Sequence, residues 1–114
     1  MTRVFIELPE FQKAWSSLGL TDIDLNDLEI FLTNNPDYGD VIAGTSGLRK
    51  LRWRAKGKGK RGGARVLYLD ILVLEKIYLI TAYSKNTKID LSPSEKKEIK
   101  ELIMLLKQET KHKE

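Results

Sequence analysis

The chain has 114 residues, 41% hydrophobic and 32% charged, with 20 Lys and Arg against 16 Asp and Glu for a net charge of +4; this fits one domain over residues 1–114 with a real core and excludes a disordered tail. It has no cysteine, which excludes a disulfide scaffold, a thiolate zinc site and a cysteine nucleophile. Glu7 interrupts the apolar N-terminal stretch, and Asp70, Glu75 and Lys76 interrupt residues 66–83, so neither a secretory signal nor a membrane span is expected, and the expectation is a soluble cytoplasmic domain.

Residues 4–8 read as a short strand with Phe5 inward. Pro9 suits a first helical position, and Phe11, Ala14, Trp15 and Leu18 recur at helical spacing until Gly19 ends the run. Thr21 and Asp24 form a weak capping box before a second amphipathic helix carrying Leu25, Leu28, Phe31 and Leu32. Asn34-Asn35-Pro36 stops that helix, because the residue before proline avoids the helical region. Residues 48–53 alternate as a strand, 57–63 form a glycine-rich turn or loop, and 66–71 and 77–83 have strand composition and read as antiparallel neighbours. Between the last two strands, residues 71–77 are apolar where a polar turn is expected. They are assigned to strand facing the core; an exposed patch that serves as a docking site is the alternative. Ser92 as N-cap, Pro93 at N1 and Glu95 at N3 start a last helix with Ile99, Leu102, Ile103 and Leu106 on its apolar face, which Met104 and Leu105 widen. The order β-α-α-β-β-β-α predicts an α+β fold: a small, mostly antiparallel sheet with an N-terminal helical hairpin and a C-terminal helix.

The charge is unevenly placed. Residues 1–40 hold two basic and eight acidic side chains, 41–69 hold nine basic and none acidic, and 70–114 hold nine basic and eight acidic. The middle block also holds six of the eight glycines. Concentrated positive charge on flexible backbone is an electrostatic footprint for phosphate. Antiparallel pairing of the last two strands would bring Arg65 and Lys85 to one edge below the loop that carries Arg54, Lys56, Lys58, Lys60 and Arg61. Nine cations would then surround one concavity, or seven if Arg49 and Lys50 face elsewhere. The competing reading has Arg65 and Lys85 pairing with acids of the N-terminal helices.

The glycine-rich segment is not a P-loop, since Gly63 and Ala64 follow Gly62 where Lys and Ser or Thr are required. The single histidine, His112, is near the chain end, no carboxylate spacing suggests a metal site, and no cofactor is expected. Arginine forks bind phosphate bidentately, lysine adds a point charge, and tyrosine stacks on unpaired bases. Six contacts to single-stranded phosphates would give a salt slope of roughly −4. Crowded cations also depress one another's pKa, so a lysine here is a candidate base for a ribose 2′-OH, with Arg65 stabilising the charge that develops on phosphate.

The run Asn35-Pro-Asp-Tyr-Gly-Asp-Val-Ile-Ala-Gly-Thr-Ser-Gly-Leu-Arg-Lys-Leu-Arg, then Lys56-Gly-Lys-Gly-Lys-Arg-Gly-Gly-Ala-Arg-Val-Leu-Tyr, Tyr83-Ser-Lys-Asn and Asp90-Leu-Ser resembles the RelE/ParE superfamily of bacterial toxins, closest to the RelE/HigB-like branch of type II toxin–antitoxin systems. The resemblance covers Phe5 to about Leu106. It implies a metal-independent, ribosome-dependent mRNA endoribonuclease that inhibits translation, with the ribosome, A-site mRNA and a cognate antitoxin as partners. It also implies Lys56, Lys58, Arg65 and Lys85 as catalytic positions, with Lys56 or Lys58 as base and Arg65 as transition-state stabiliser. Arg54, Lys60, Arg61 and Tyr83 are expected RNA contacts. Some relatives carry a catalytic tyrosine on the last helix; residues 94–112 here contain none. Alternative readings are a ParE-like inhibitor of DNA gyrase acting through protein contacts and a non-catalytic RNA- or ribosome-binding module.

Overall fold

The structure is a computed structural model and describes residues 3–54, 63–84 and 91–112, with side chains to residue 108. In chain order the elements are β1 (Val4–Glu7), α1 (Pro9–Ser17), α2 (Asp22–Asn34), β2 (Asp40–Val41), β3 (Arg49–Arg54), β4 (Gly63–Ile71), a 3-10 turn (Leu72–Leu74), β5 (Lys76–Ser84) and α3 (Pro93–His112). The five strands form one sheet in the order β1-β5-β4-β3-β2. All neighbours are antiparallel except β1 and β5. Three helices on a mostly antiparallel sheet make the α+β class expected.

Local signals account for the helix boundaries. Pro9 opens α1, and Gly19 at φ +75° follows its end in a conformation that costs glycine little. The Thr21–Asp24 capping box is fully formed: the Asp24 N–H donates to Thr21 Oγ1 at 3.2 Å and the Thr21 N–H to Asp24 Oδ2 at 2.8 Å. Ser92 and Glu95 repeat the arrangement before α3, both bonds at 3.1 Å.

The sheet is covered on both faces. On one, Phe11, Trp15, Leu25, Leu28 and Leu32 of the helical hairpin close over Leu51, Val66, Tyr68, Ile77 and Leu79. On the other, Ile103 of α3 lies over Leu48, Leu67, Leu69, Tyr78 and Ile80. Each fully buried side chain contributes about 1.5–3 kcal/mol of apolar transfer. Two-sided burial explains why β4 reads Val66-Leu-Tyr-Leu as an unbroken apolar run rather than an alternation. Arg3 ties the start of the chain to β4, its Nε donating to Asp70 Oδ1 at 2.8 Å.

Two expectations need correction. The two-residue strand β2 is an addition to the expected order; it is held by Asp40 opposite Lys50, Val41 opposite Arg49 and the Ile42 N–H on the Leu48 carbonyl at 2.8 Å. Two residues lack the run of alternation that marks a strand in sequence. Residues 71–77 are neither wholly strand nor wholly a patch. Ile71, Leu74 and Ile77 are buried, while Leu72 and Val73 are 61% and 67% exposed on the 3-10 turn. A tight turn of three residues returns only its last apolar side chain to the core, and Glu75 closes it in the left-handed conformation at φ 53°. Among the described residues, no helix is long and apolar enough to cross a membrane.

Candidate functional site

Strand register builds the site. Arg54 stands opposite Gly63, and Ala64 opposite Ser84, so the end of β3, the start of β4 and the end of β5 lie side by side. One step further in, Arg52 faces Arg65 and Arg65 faces Tyr83, a row across three strands. Side chains alternate between faces along a strand. Leu51, Ala64, Val66 and Ala82 point to the helical hairpin, so Lys50, Arg52, Arg54, Arg65 and Tyr83 share the opposite face. That is the face α3 covers at Leu67, Leu69 and Ile80.

A cavity of about 360 Å³ opens there, lined by Tyr38, Gly39, Asp40, Lys50, Arg52 and Arg65 together with Leu51. Like charges directly opposite one another on adjacent strands cost about 0.2–1 kcal/mol, yet Arg52 and Arg65 are Cα partners. Arg65 makes no ion pair among the described residues, and its buried Nε has no hydrogen-bond partner. The competing expectation, that acids of the N-terminal helices neutralise it, therefore finds no support among those residues. Asp40, opposite Lys50, is the one described acid lining the cavity.

The wall formed by the Asn35–Asp40 segment is held from beneath. The buried Tyr68 hydroxyl donates to the Pro36 carbonyl at 2.9 Å and accepts from the Gly39 N–H at 2.9 Å. Arg49, pointing to the hairpin face, donates Nη1 to the carbonyls of Gly39 at 2.6 Å and Asp37 at 3.2 Å. A Cβ on Gly39 would stand 2.9 Å from the Lys50 carbonyl oxygen and from Tyr68 Cε1. Glycine is required here by close approach, and the Pro-x-Tyr-Gly-Asp run is thereby explained as a packed wall. Burial raises the Tyr68 pKa; its Gly39 hydrogen bond and Arg49 oppose the rise, and Asp70 and Asp37 add to it.

Tyr83 is half-buried beside Arg65, and its hydroxyl is buried without a partner among the described residues. Burial pushes its pKa up, Glu95 adds to the rise and Arg65 opposes it, so it is a neutral phenol. It also lines a second cavity of about 450 Å³ between the start of α1 and α3, with Glu10, Glu95 and Glu98 at the rim.

Of the expected site residues, Arg54, Arg65 and Tyr83 come together on one face. Lys56, Lys58, Lys60, Arg61 and Lys85 lie outside the described residues. Of the two strand cations in question, Arg49 turns away to the wall and Lys50 turns to the cavity. Arg52 was missed as a site residue, although its alternation with Leu51 and Trp53 was the available signal. Tyr38, Gly39 and Asp40 were missed because nothing local marks a loop as a cavity wall. Among the described residues, no three His, Cys, Asp or Glu side chains group as a metal site requires. No family model matches the chain. The described part of the face can bind anions: guanidinium forks and the Lys50 ammonium group on a rigid sheet, with the Tyr83 ring at one end of the row.

Proposed function

We propose that this chain is a cytoplasmic toxin of the RelE/HigB-like branch, a metal-independent endoribonuclease that cuts mRNA in the ribosomal A site and is neutralised by a cognate antitoxin. One observation carries the reading: Arg65, its buried Nε without a partner among the described residues, sits in a row with Arg52 and lines, with Lys50 and Arg52, a cavity in which Asp40 is the one described acid. Bringing such charges together opposes folding, and an anionic ligand relieves it. The order β-α-α, strands, α, with β1 parallel to the last strand and both helical layers in place, fits the RelE-like fold. The motif residues Asn35–Asp40 fit as well, because Tyr38, Gly39 and Asp40 line the cationic cavity and the Tyr68 hydroxyl ties Pro36 and Gly39 in place.

In this reading Lys56 or Lys58 takes the proton from the ribose 2′-OH, whose oxygen attacks the adjacent phosphorus. The bond to the 5′-oxygen breaks, leaving a 2′,3′-cyclic phosphate and, once protonated, a 5′-hydroxyl. Arg65 stabilises the extra negative charge on the phosphorane-like transition state, and Lys85 and Arg54 hold flanking phosphates. Arg65→Ala abolishes growth arrest and codon-phased cleavage, read by mapping mRNA 5′ ends after induction in growing cells, while circular dichroism stays unchanged. Growth arrest without mRNA cleavage, accompanied by loss of gyrase supercoiling, would replace this reading with the ParE-like one.

A further inference from the structure

The open edge of β3 carries a second kind of recognition. β2 pairs with β3 only at Arg49 and Lys50, and the Leu48 carbonyl accepts from Ile42 on the same side. Backbone groups alternate in direction along a strand, so the N–H and C=O of Arg52 and Arg54 point toward this edge as those of Leu48 and Lys50 do. Among the described residues, nothing pairs with them there. The 360 Å³ cavity lies at the point where β2 stops and a neighbouring strand would continue. The two sides of this edge differ in chemistry. Lys50, Arg52 and Arg54 share the face of Arg65. On the other face are Trp53, packed on Phe31 with ring centroids 5.7 Å apart, and Tyr38, edge-on to Phe31 at 5.0 Å and 64% exposed.

We propose that the Leu51–Arg54 edge of β3 is a β-strand addition site for an extended peptide segment of a partner protein in which acidic residues alternate with apolar ones. Backbone chemistry favours a peptide over a nucleic acid. An added strand both donates and accepts at the edge, whereas phosphate only accepts and leaves the outward carbonyls of Arg52 and Arg54 facing an anion. The side chains set the pattern. Acidic residues of the added strand fall on the arginine face and apolar ones between Tyr38 and Trp53, with the strand period of two. Cations on an edge repel basic strands and deter indiscriminate pairing, so the same residues that protect the edge select an acidic partner. Four residues of β3 span about 14 Å, enough for one short strand. Its acidic side chains would occupy Arg52 and Arg65, so strand addition and RNA binding exclude each other. The proposal does not depend on RNA cleavage.

The probe is an acetylated, amidated peptide of alternating Glu and Val, six residues long, titrated into the isotope-labelled full chain at low salt. Binding should slow exchange of the Arg52 and Arg54 amide hydrogens by about tenfold or more. Methylating the two peptide nitrogens that face β3 should weaken binding about tenfold, and so should blocking the same charges and side chains into three Glu followed by three Val. Arg52→Gln weakens it modestly by removing one charge, and Arg52→Pro abolishes it by also removing the outward N–H, at a position where the ladder to β4 is spared. Equal binding of the methylated and unmethylated peptides would overturn the proposal even if Arg52→Pro fails to fold. So would protection of these amides by a single-stranded RNA but not by the peptide, or the absence of any binding.

Discussion

Replacing Arg65 with methionine separates function from stability by moving them in opposite directions. Methionine keeps an unbranched apolar stem of similar reach and removes the guanidinium. In the folded chain the Arg65 Nε–H is buried without a partner among the described residues, a situation that costs about 1–3 kcal/mol. Its Cα partner across the sheet is Arg52, and such a like-charge pair costs a further 0.2–1 kcal/mol or so. Arg65 is only half-buried, so part of this cost is offset by solvent in the native state. The net expectation for Arg65→Met is a gain of about 1–2 kcal/mol, or about 4–8 °C in Tm for a chain of this size, measured by calorimetry without RNA. On the functional side, loss of one single-strand phosphate contact reduces the salt slope of RNA binding by about 0.7. Loss of one donor to the transition state lowers cleavage by about 100-fold to 1000-fold. A variant that melts several degrees lower and keeps the wild-type salt slope would refute the reasoning, because Arg65 would then be a stabilising residue with its own partner.

Three further outcomes follow from the same geometry. Gly39→Ala forces a Cβ to within 2.9 Å of the Lys50 carbonyl and the Tyr68 ring, so the wall must shift and its Tyr68 and Arg49 bonds loosen; the expected loss is about 2–4 kcal/mol in denaturant unfolding, and wild-type stability would show that the wall yields freely. Asp40→Asn removes the one described acid lining the cavity, opposite Lys50, which should strengthen single-stranded RNA binding and steepen its salt slope by up to about 0.7 as a negative charge that competes with phosphate for Lys50 is lost; unchanged binding and slope would place Lys50 outside the site. Tyr83 is held above the ordinary phenol value of 10.0 chiefly by burial, so the folded state keeps its proton more tightly than the unfolded one. The stability this confers is complete below about pH 10 and is lost as pH rises through the folded pKa; Tyr83→Phe should therefore keep its Tm further into alkaline conditions than the wild type, and parallel pH profiles would contradict the burial.

Legibility from sequence followed the range of the interaction. Thr21 with Asp24, and Ser92 with Glu95, announce helix starts because the capping partners are three residues apart and the bonds form there. The hairpin-face residues of α1 and α2 are readable because one amphipathic stripe is one buried face. The pairing of Arg65 with Tyr83 was accessible once β4 and β5 were taken as antiparallel neighbours. The opposition of Arg52 and Arg65 was not, since it depends on the register between β3 and β4, and a slip of one residue would turn Arg52 to the other face. The parallel pairing of β1 with β5 joins residues some seventy apart and has no local trace. Residues 71–77 misled for a related reason. Composition reports how much apolar surface a segment has, and only the turn geometry decides that Leu74 is covered while Leu72 and Val73 are not.

The segregation of charge along the chain becomes a segregation in space because the acids have work at helix starts. Glu10 lies in the first turn of α1, Asp22 and Asp24 in that of α2, and Glu95 in that of α3. Each position favours a carboxylate, by helix dipole and by capping. Asp70 meets Arg3 at the far end of β4. Among the described acids, Asp40 alone lines the cavity of Lys50, Arg52 and Arg65. Lys50, Arg52 and Arg65 cannot relax by moving apart, because each has a sequence neighbour fixed in the core. Leu51, 2% exposed, lies between Lys50 and Arg52; Ala64 and Val66, 1% and 0% exposed, lie on either side of Arg65. Alternation along β3 and β4 thus uses one face of each strand to hold the other face in place. The repulsion stays in the folded state as a preorganised field, and an anion that enters it meets donors already positioned, with little ordering left to oppose binding.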